Sequence, residues 1–384
     1  MEKELIIMDY QGRVKTFQSA LKVKGIDGAF LTRKPSIGYF TGAFAPWSSA
    51  LFIPADGEPV FFTFIVDAPR ITADSFYKDV RGWSDYTGGL MGSVTGIIKE
   101  QKMDKSRVGF ELGTSVDVGV MSAGEYLTLK ETCPDIQPVN IMDEIIQMQL
   151  VKTEEEIELL RRAAESVDLG MKYAYDAMCI GMTETELAGY AELGMRKAGH
   201  MFNWCVTGTE IGAGYRQCYK NCFTSIPGHK RVQYGEIVTI DIHSMYDLYI
   251  SDLALNAIIG VPTNKQRKLA DDWKTLVEYL FAQIKPGAVC DKIFGAVWGK
   301  AVEMGVDQIT IPSFSHGLGL DARIPPTIGP GNMFVLEENM IVELIMQMTD
   351  PPIGGMRLEY PVVVRSYGEE PLCKTPLDLH VKEF

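Results

Sequence analysis

The chain has 384 residues, of which 46% are hydrophobic and 23% charged, so it is neither intrinsically disordered nor collagen-like. Its length predicts more than one domain. The net charge of −13 argues against nucleic acid as a partner, because an acidic surface repels phosphate groups. No apolar stretch is long enough to cross a membrane, and the N-terminus lacks the pattern of a secretory signal. The seven cysteines include no CxxC pair, so we expect reduced thiols, a cytoplasmic location and no membrane partner.

Helix-like and strand-like segments alternate over residues 1–148. Asp9 can cap a helix in which Val14, Phe17 and Leu21 recur at helical spacing. The strand-like runs that follow are 29–31, 51–53, 60–62 and 108–111. An Asp-Gly pair between the second and third runs is typical of a hairpin turn. This alternation predicts a compact α/β domain.

From residue 149 onward the chain repeats one plan, in which two helices are followed by strands. Thr153 and Glu156 form a capping box that opens the first half. Thr263 and Gln266 can cap the corresponding helix of the second half. We interpret this repetition as an architectural duplication, which predicts a pseudo-symmetric α+β domain over residues 149–384.

Four strand-like runs, two in each half, each contain one carboxylate among apolar residues. A single acid in a strand commonly faces solvent, because side chains alternate. Four of them are harder to explain in this way, and an unpaired buried carboxylate is costly. Few basic residues lie in these runs, with Arg357 as the exception, so arginines could pair with few of the acids. A pair of divalent cations is the simpler partner for all four. The four acids are Asp241, Asp252, Glu343 and Glu359.

His316 adds an imidazole to this set and is expected in a tight, glycine-containing turn. Four carboxylates and one imidazole suit two ions such as Mn, Co, Fe or Zn. Two such ions can activate water and stabilise an oxyanionic species.

The order of these residues resembles the creatinase/aminopeptidase family of metallohydrolases, which includes prolidase and aminopeptidase P. Asp252 follows Asp241 by eleven residues, and the stretch 316–321 reads HGLGLD. The segment 152–157 is similar to the start of the family's catalytic domain. The resemblance covers most of the chain. It implies a small creatinase N-terminal-like α/β domain, residues 1–148, and a pseudo-symmetric pita-bread catalytic domain.

The resemblance also implies a role for each candidate ligand. Asp241 would bind the first ion, while Asp252 and Glu359 would bridge both ions. His316 and Glu343 would hold the second ion. Glu343 would additionally act in catalysis, as the proton acceptor close to the activated water.

The sequence departs from the family pattern on the substrate side. Thr224 lies seventeen residues before Asp241, where the peptidases and creatinase carry a histidine. Arg323 stands where a second histidine follows the HGxG turn. These departures put peptide hydrolysis in doubt. The charge of Arg323 favours a substrate with a carboxylate near the scissile bond.

His243 stands two residues after Asp241, where the family usually has glycine. Residues two apart in a strand share a face, so His243 should point where Asp241 points. A structural role, a catalytic base and an extra metal ligand all remain open for it.

Two aromatic residues are candidates for substrate binding. Tyr215 lies where members of the resembled family line their pocket. Trp47 lies in a loop of the N-terminal domain, which in family dimers reaches the partner's active site. The resemblance therefore implies a homodimer, and packing of both rings within the fold is the ordinary alternative.

The sequence thus predicts a hydrolase with two divalent ions that cleaves a C–N bond of a small molecule or dipeptide, as prolidase and Xaa-Pro aminopeptidase do. The first alternative is a non-peptidase acting on a small carboxylate-bearing compound, either a creatinase-like hydrolase or a dimethylsulfoniopropionate lyase-like C–S lyase. The second alternative is a catalytically inactive binding protein on the same fold, against which the retention of five ligands argues.

Overall fold

The computed structural model describes residues 6–113, 120–201, 208–214, 216 and 226–383. The chain divides into two compact units, Met1–Gln149 and Leu150–Phe384. Within the described ranges, no helix is both long enough and apolar enough to cross a bilayer.

The first unit is built on a mixed sheet of six strands. Its strands are β1 (Gly28–Leu31), β2 (Ala50–Pro54), β3 (Val60–Phe64), β4 (Val80–Trp83), β5 (Arg107–Phe110) and β6 (Gln137–Asn140). Its helices are α1 (Tyr10–Lys24), α2 (Lys34–Thr41), α3 (Ala68–Asp74), α4 (Gly89–Glu100), α5 (Ala123–Thr132) and α6 (Met142–Leu150), the last of which ends at the boundary. The strand order is β4-β3-β2-β1-β5-β6. Strands β2 and β3 form the predicted antiparallel hairpin.

Helix α1 follows its sequence pattern closely. The carboxylate of Asp9 accepts a hydrogen bond from the backbone N–H of Gly12 at 2.8 Å, which caps the helix. Phe17 and Leu21 are fully buried. The helix ends at Gly25, whose φ of 62° lies in the left-handed region that glycine adopts without strain.

The second unit contains the predicted repetition of helices and strands. Its helices are α7 (Glu154–Ala177), α8 (Glu184–Lys197), α9 (Asn264–Phe281) and α10 (Cys290–Met304). Its strands are β7 (Thr209–Ala213), β8 (Ile237–Tyr246), β9 (Tyr249–Ile259), β10 (Ser315–Gly317), β11 (Ile341–Asp350), β12 (Gly354–Arg365), β13 (Gly368–Pro371) and β14 (His380–Lys382). The main path of the sheet is β10-β11-β12-β9-β8-β7. The hairpins β8–β9 and β11–β12 therefore meet at its centre.

Capping boxes fix the helix starts of the second unit. The hydroxyl of Thr153 accepts from the N–H of Glu156, whose carboxylate accepts from the N–H of Thr153 in return. Thr263 and Gln266 make the same pair of bonds at the start of α9. Buried hydrogen bonds then tie α7 to the central strands, among them the bond from Ser244 Oγ to a helix carbonyl at 2.7 Å.

Candidate metal centre

The acidic residues of the sequence analysis share one face of the sheet in the second unit. Side chains of directly paired residues on neighbouring strands point to the same face. The register pairs Glu210 with Asp241 across β7 and β8, and Asp241 with Ala254 across β8 and β9. Ala254 in turn pairs with Glu359 on β12. Three carboxyl groups therefore project from this face on three different strands.

Two further cross-strand pairs lie on this face. His243 pairs with Asp252 across β8 and β9, and His316 pairs with Glu343 across β10 and β11. His316 thus lies in a short strand, and the expectation that it sits within a turn is wrong. The turn follows β10. The strand was not predicted because three residues are too few to show an alternating pattern. Across the sheet, the predicted ligands occur in the order His316, Glu343, Glu359, Asp252 and Asp241.

Four of these side chains converge on one point. Asp241, His243, Asp252 and Glu359 each offer a ligand atom, and these atoms all lie within 4.8 Å of one another. All four residues are buried. Glu343 lies outside this group but close to it. The charges of Asp252 and Glu359 consequently contribute to its raised pKa.

Arg357 is a cation within this cluster. Its Nε donates to Asp241 Oδ2 at 2.8 Å, and its Nη2 donates to Glu359 Oε1 at 2.5 Å. A third hydrogen bond, from Nη1 to Gln347 Oε1, measures 3.1 Å. Arg357 therefore compensates part of the negative charge of these carboxylates, which the sequence alone assigns to metal ions.

The guanidinium does not compensate all of it. Asp241 Oδ1, Asp252 Oδ1 and both carboxylate oxygens of Glu343 are buried and have no hydrogen-bond partner among the described residues. Buried charged oxygens are costly unless they are paired or coordinate a metal ion. Convergent carboxylates with unused oxygens beside an imidazole are a donor set that fits divalent cations.

The electrostatics of the cluster follow from its burial. Burial raises the pKa of Glu343 well above its usual range, and the charges of Asp252 and Glu359 raise it further. Burial and the charge of Glu359 raise the pKa of Asp241 to about 6, against the opposing effect of Arg357. Burial likewise raises the pKa of Glu359 to about 7. Burial and mutual repulsion therefore favour the protonated forms of these carboxyl groups, whereas a cation would favour the ionised forms that bind it.

Burial, together with a smaller effect of the charge of Arg323, lowers the pKa of His316 to about 3. The imidazole is therefore neutral at physiological pH, which is the form that binds metal ions.

Glu210 lies directly opposite Asp241 and is an acidic residue of this face that the sequence did not reveal. It is 3% exposed, and burial together with the charge of Asp241 raises its pKa to about 9. Its carboxyl group is consequently protonated at neutral pH. Strand β7 has only five residues, one of them glycine, so no alternating pattern marked Glu210 in the sequence.

The predicted substrate-binding residues lie in different places. Arg323 is exposed, in a loop that is closed by backbone pairing of Gly317 with Ile324. Trp47 belongs to the first unit, where it is 54% exposed and its ring lies 5.5 Å from that of Phe64. The other two positions singled out from the sequence, Tyr215 and Thr224, lie outside the described residues.

Comparisons with known proteins agree with this architecture. The model of metallopeptidase family M24 matches residues 158–366, more than half of the chain, and that of the creatinase/prolidase N-terminal domain matches residues 13–151. The Xaa-Pro dipeptidase of Lactobacillus delbrueckii subsp. lactis is 26% identical over 369 residues, which are 95% of this chain and 97% of that protein. The Xaa-Pro dipeptidase of Pyrococcus furiosus is 24% identical over 368 residues, 96% of this chain and 99% of the other.

Solved structures show the same fold. The prolidase from Thermococcus sibiricus superposes with a TM-score of 0.86 at 22% identity, covering 98% of this chain and 100% of that one. The X-Pro aminopeptidase from Thermotoga maritima gives a TM-score of 0.84 at 22% identity, covering 96% and 99%. The predicted two-domain architecture with a pita-bread second domain is therefore confirmed.

Proposed function

The chain belongs to metallopeptidase family M24, as its sequence predicted, and on that premise we propose that it is a metal-dependent hydrolase that cleaves Xaa-Pro dipeptides. One observation carries the proposal. The residues that resemble the family's ligands share one buried face. On it, Asp241 Oδ1, Asp252 Oδ1 and both carboxylate oxygens of Glu343 lack hydrogen-bond partners among the described residues.

The order of side chains across the sheet supports a division of roles. Glu359 and Asp252 project from the two central strands, so they would bridge two ions. Asp241, on one flank, would hold the first ion, and Glu343 and His316, on the other flank, the second. Two divalent ions held there, of Mn, Co, Fe or Zn, would act as Lewis acids and lower the pKa of water.

Glu343 is the residue that we assign to proton transfer. Its side chain is fully buried, and neither of its carboxylate oxygens has a hydrogen-bond partner among the described residues. A carboxylate oxygen that makes no other hydrogen bond is available to accept a proton from water. It would take a proton from the attacking water and deliver one to the leaving nitrogen.

Arg323 would bind the C-terminal carboxylate of the dipeptide. Its guanidinium is exposed, and its charge acts on the buried His316 next to the metal centre. A charge-assisted hydrogen bond to a carboxylate would both anchor and orient a small substrate. This role would compensate for the histidine that the family pattern has at this position.

The alternatives gain no support from the comparisons, because the similar proteins are named for dipeptidase or aminopeptidase activity rather than for creatine hydrolysis or C–S lysis.

We further propose, from the family resemblance, a cytoplasmic homodimer in which Trp47 and Tyr215 contact the substrate. Light scattering at micromolar concentration tests the dimer, and a strict monomer would contradict it.

The function is tested by proline release. Protein stripped with EDTA is reloaded with Mn²⁺, Co²⁺, Fe²⁺ or Zn²⁺ and assayed with Ala-Pro and Leu-Pro, with Ala-Ala as the control dipeptide. We expect proline release that depends on metal and is lost in Glu343→Gln. The matched control is Glu337→Gln, the same change at an exposed position just before β11. Absence of proline release from protein shown by elemental analysis to contain metal would refute the proposal.

A further inference from the structure

We propose that His243 is an additional metal ligand, which binds through Nε2 the ion held by Asp241 and Asp252. The inference rests on the metal centre of the proposed function and adds to it a residue that the family pattern lacks. It also chooses among the three roles that the sequence left open for His243.

The ring of His243 is fixed by the backbone of the neighbouring strand segment. Its Nδ1 lies 2.6 Å from the carbonyl oxygen of Gly208. A carbonyl can only accept a hydrogen bond, so Nδ1 carries the proton and donates it. In the neutral imidazole, the lone pair then belongs to Nε2. This arrangement, with one nitrogen donating to a carbonyl, is typical of histidines that bind metal through the other nitrogen.

The second nitrogen points into the carboxylate cluster. Nε2 lies 2.9 Å from Asp252 Oδ2, and the side chain of His243 is 6% exposed. Where no ion is bound, a proton on Nε2 can bridge this gap as a hydrogen bond to Asp252. The ion that Asp241 and Asp252 would share would take the place of that proton and bind both atoms.

The distances suit a shared ion. With bonds of about 2.0–2.2 Å, two ligand atoms at right angles around one ion lie roughly 3 Å apart. The separation of 2.9 Å between His243 Nε2 and Asp252 Oδ2 matches this value. One ligand atom from each of Asp241, His243, Asp252 and Glu359 lies within 4.8 Å of the other three, so the four side chains converge on one small space.

The same contacts argue against His243 as a catalytic base. A base needs a nitrogen that is open to water or substrate. Here Gly208 occupies Nδ1, and Asp252 lies at hydrogen-bond distance from Nε2. As a ligand, His243 would instead give the first ion an imidazole, as His316 does for the second, and its loss would leave the first ion with carboxylates alone.

Metal binding to His243→Gln tests the inference. Metal-free protein is titrated with Zn²⁺ and with Co²⁺. Titration calorimetry measures the affinities, and the visible absorption of bound Co²⁺ reports on its ligands. Loss of a residue that only supports a metal ligand lowers metal affinity roughly 10–100-fold. We expect His243→Gln to lower the affinity for one of the two ions by at least this factor and to change the Co²⁺ spectrum. The control is His200→Gln, because His200 Nδ1 accepts from the N–H of Met245 on the same strand β8, outside the cluster.

X-ray absorption of the wild-type Zn²⁺ protein gives a second readout that needs no variant. Two histidines per two ions are expected, His243 and His316, rather than one. Unchanged affinities and spectrum in His243→Gln, or a single histidine in the absorption data, would overturn the inference and leave a hydrogen bond to Asp252 only. A wild-type protein that binds no metal would instead refute the proposed function itself.

Discussion

Arg357 donates a hydrogen bond from Nε to Asp241 Oδ2 at 2.8 Å, so a permanent cation lies within the carboxylate cluster. Its charge also neutralises Glu359. Removing one partner of a buried ion pair costs about 3–5 kcal/mol, because the other charge stays buried and uncompensated. We expect Arg357→Met to lower the free energy of unfolding of EDTA-treated protein by this amount, measured by urea denaturation.

The matched control removes a cation from an exposed pair. Lys274 contacts Asp378 at 2.6 Å, but both side chains are largely in solvent. Lys274→Met should change the free energy of unfolding by about 0–1 kcal/mol. Equal effects of the two substitutions would show that Arg357 does not compensate buried charge.

Loss of the bridging carboxylate Asp252 should empty the metal centre. Both ions would depend on Asp252, which projects from the central strand β9. We expect Asp252→Ala to contain less than one ion per chain after dialysis, measured by elemental analysis. Asp271→Ala, at an exposed position on α9, is the control and should keep the wild-type content. Retention of both ions in Asp252→Ala would be incompatible with a bridging role.

Asn256 holds Arg357 in place through the backbone. Its Nδ2 donates to the carbonyl of Arg357 at 2.8 Å, and its Oδ1 accepts from the N–H of Arg357 at 2.9 Å. Asn256 is fully buried. Asn256→Leu would leave both backbone groups without these partners, each at a cost of about 1–3 kcal/mol. We expect a loss of about 2–5 kcal/mol in the free energy of unfolding of EDTA-treated protein.

Thr239→Val provides a graded comparison. The hydroxyl of Thr239 donates to the same Asn256 Oδ1 at 3.0 Å, and this substitution removes that bond while Asn256 and its bonds to Arg357 stay in place. The expected loss is about 1 kcal/mol. A loss in Asn256→Leu no larger than in Thr239→Val would contradict the positioning role of Asn256.

The helix starts could be predicted because their signals are local in the sequence. Capping boxes and helical spacing lie within a few residues of one another, so Thr153 and Thr263 mark the starts of their helices from sequence alone. The carboxylates were detectable because each interrupts an apolar strand. The compensation of Asp241 by Arg357 was not, since these residues are 116 positions apart and meet only when β9 pairs with β12.

Arg323 should affect substrates that carry a free C-terminal carboxylate. Hydrogen bonds to charged groups contribute about 1.5–3 kcal/mol, and an exposed guanidinium falls at the lower end. We expect Arg323→Gln to raise KM for Ala-Pro on the order of tenfold with a smaller change in kcat. The control substrate is the amide Ala-Pro-NH₂, whose KM should not respond. A similar rise in KM for both substrates would exclude recognition of the carboxylate.

Glu210 should make the stability of the metal-free protein depend on pH. Burial, and then the charge of Asp241, raise its pKa to about 9 from a usual value of 4.5. A carboxyl group whose pKa rises on folding contributes stability below its unfolded pKa and loses it as pH rises to the folded value. Glu210 therefore makes the folded state progressively less stable between about pH 4.5 and pH 9.

Glu210→Gln keeps the shape of the protonated side chain but cannot ionise. Relative to wild type, the variant should therefore gain stability as pH rises from 5 to 9, and it should gain little below pH 5, where both folded and unfolded states hold the proton. Urea unfolding in EDTA across this range measures the difference. Glu278→Gln, at an exposed position on α9, should show a difference that does not change with pH. A pH-independent difference for Glu210→Gln would mean that Glu210 is ionised in the folded protein, despite its burial opposite Asp241.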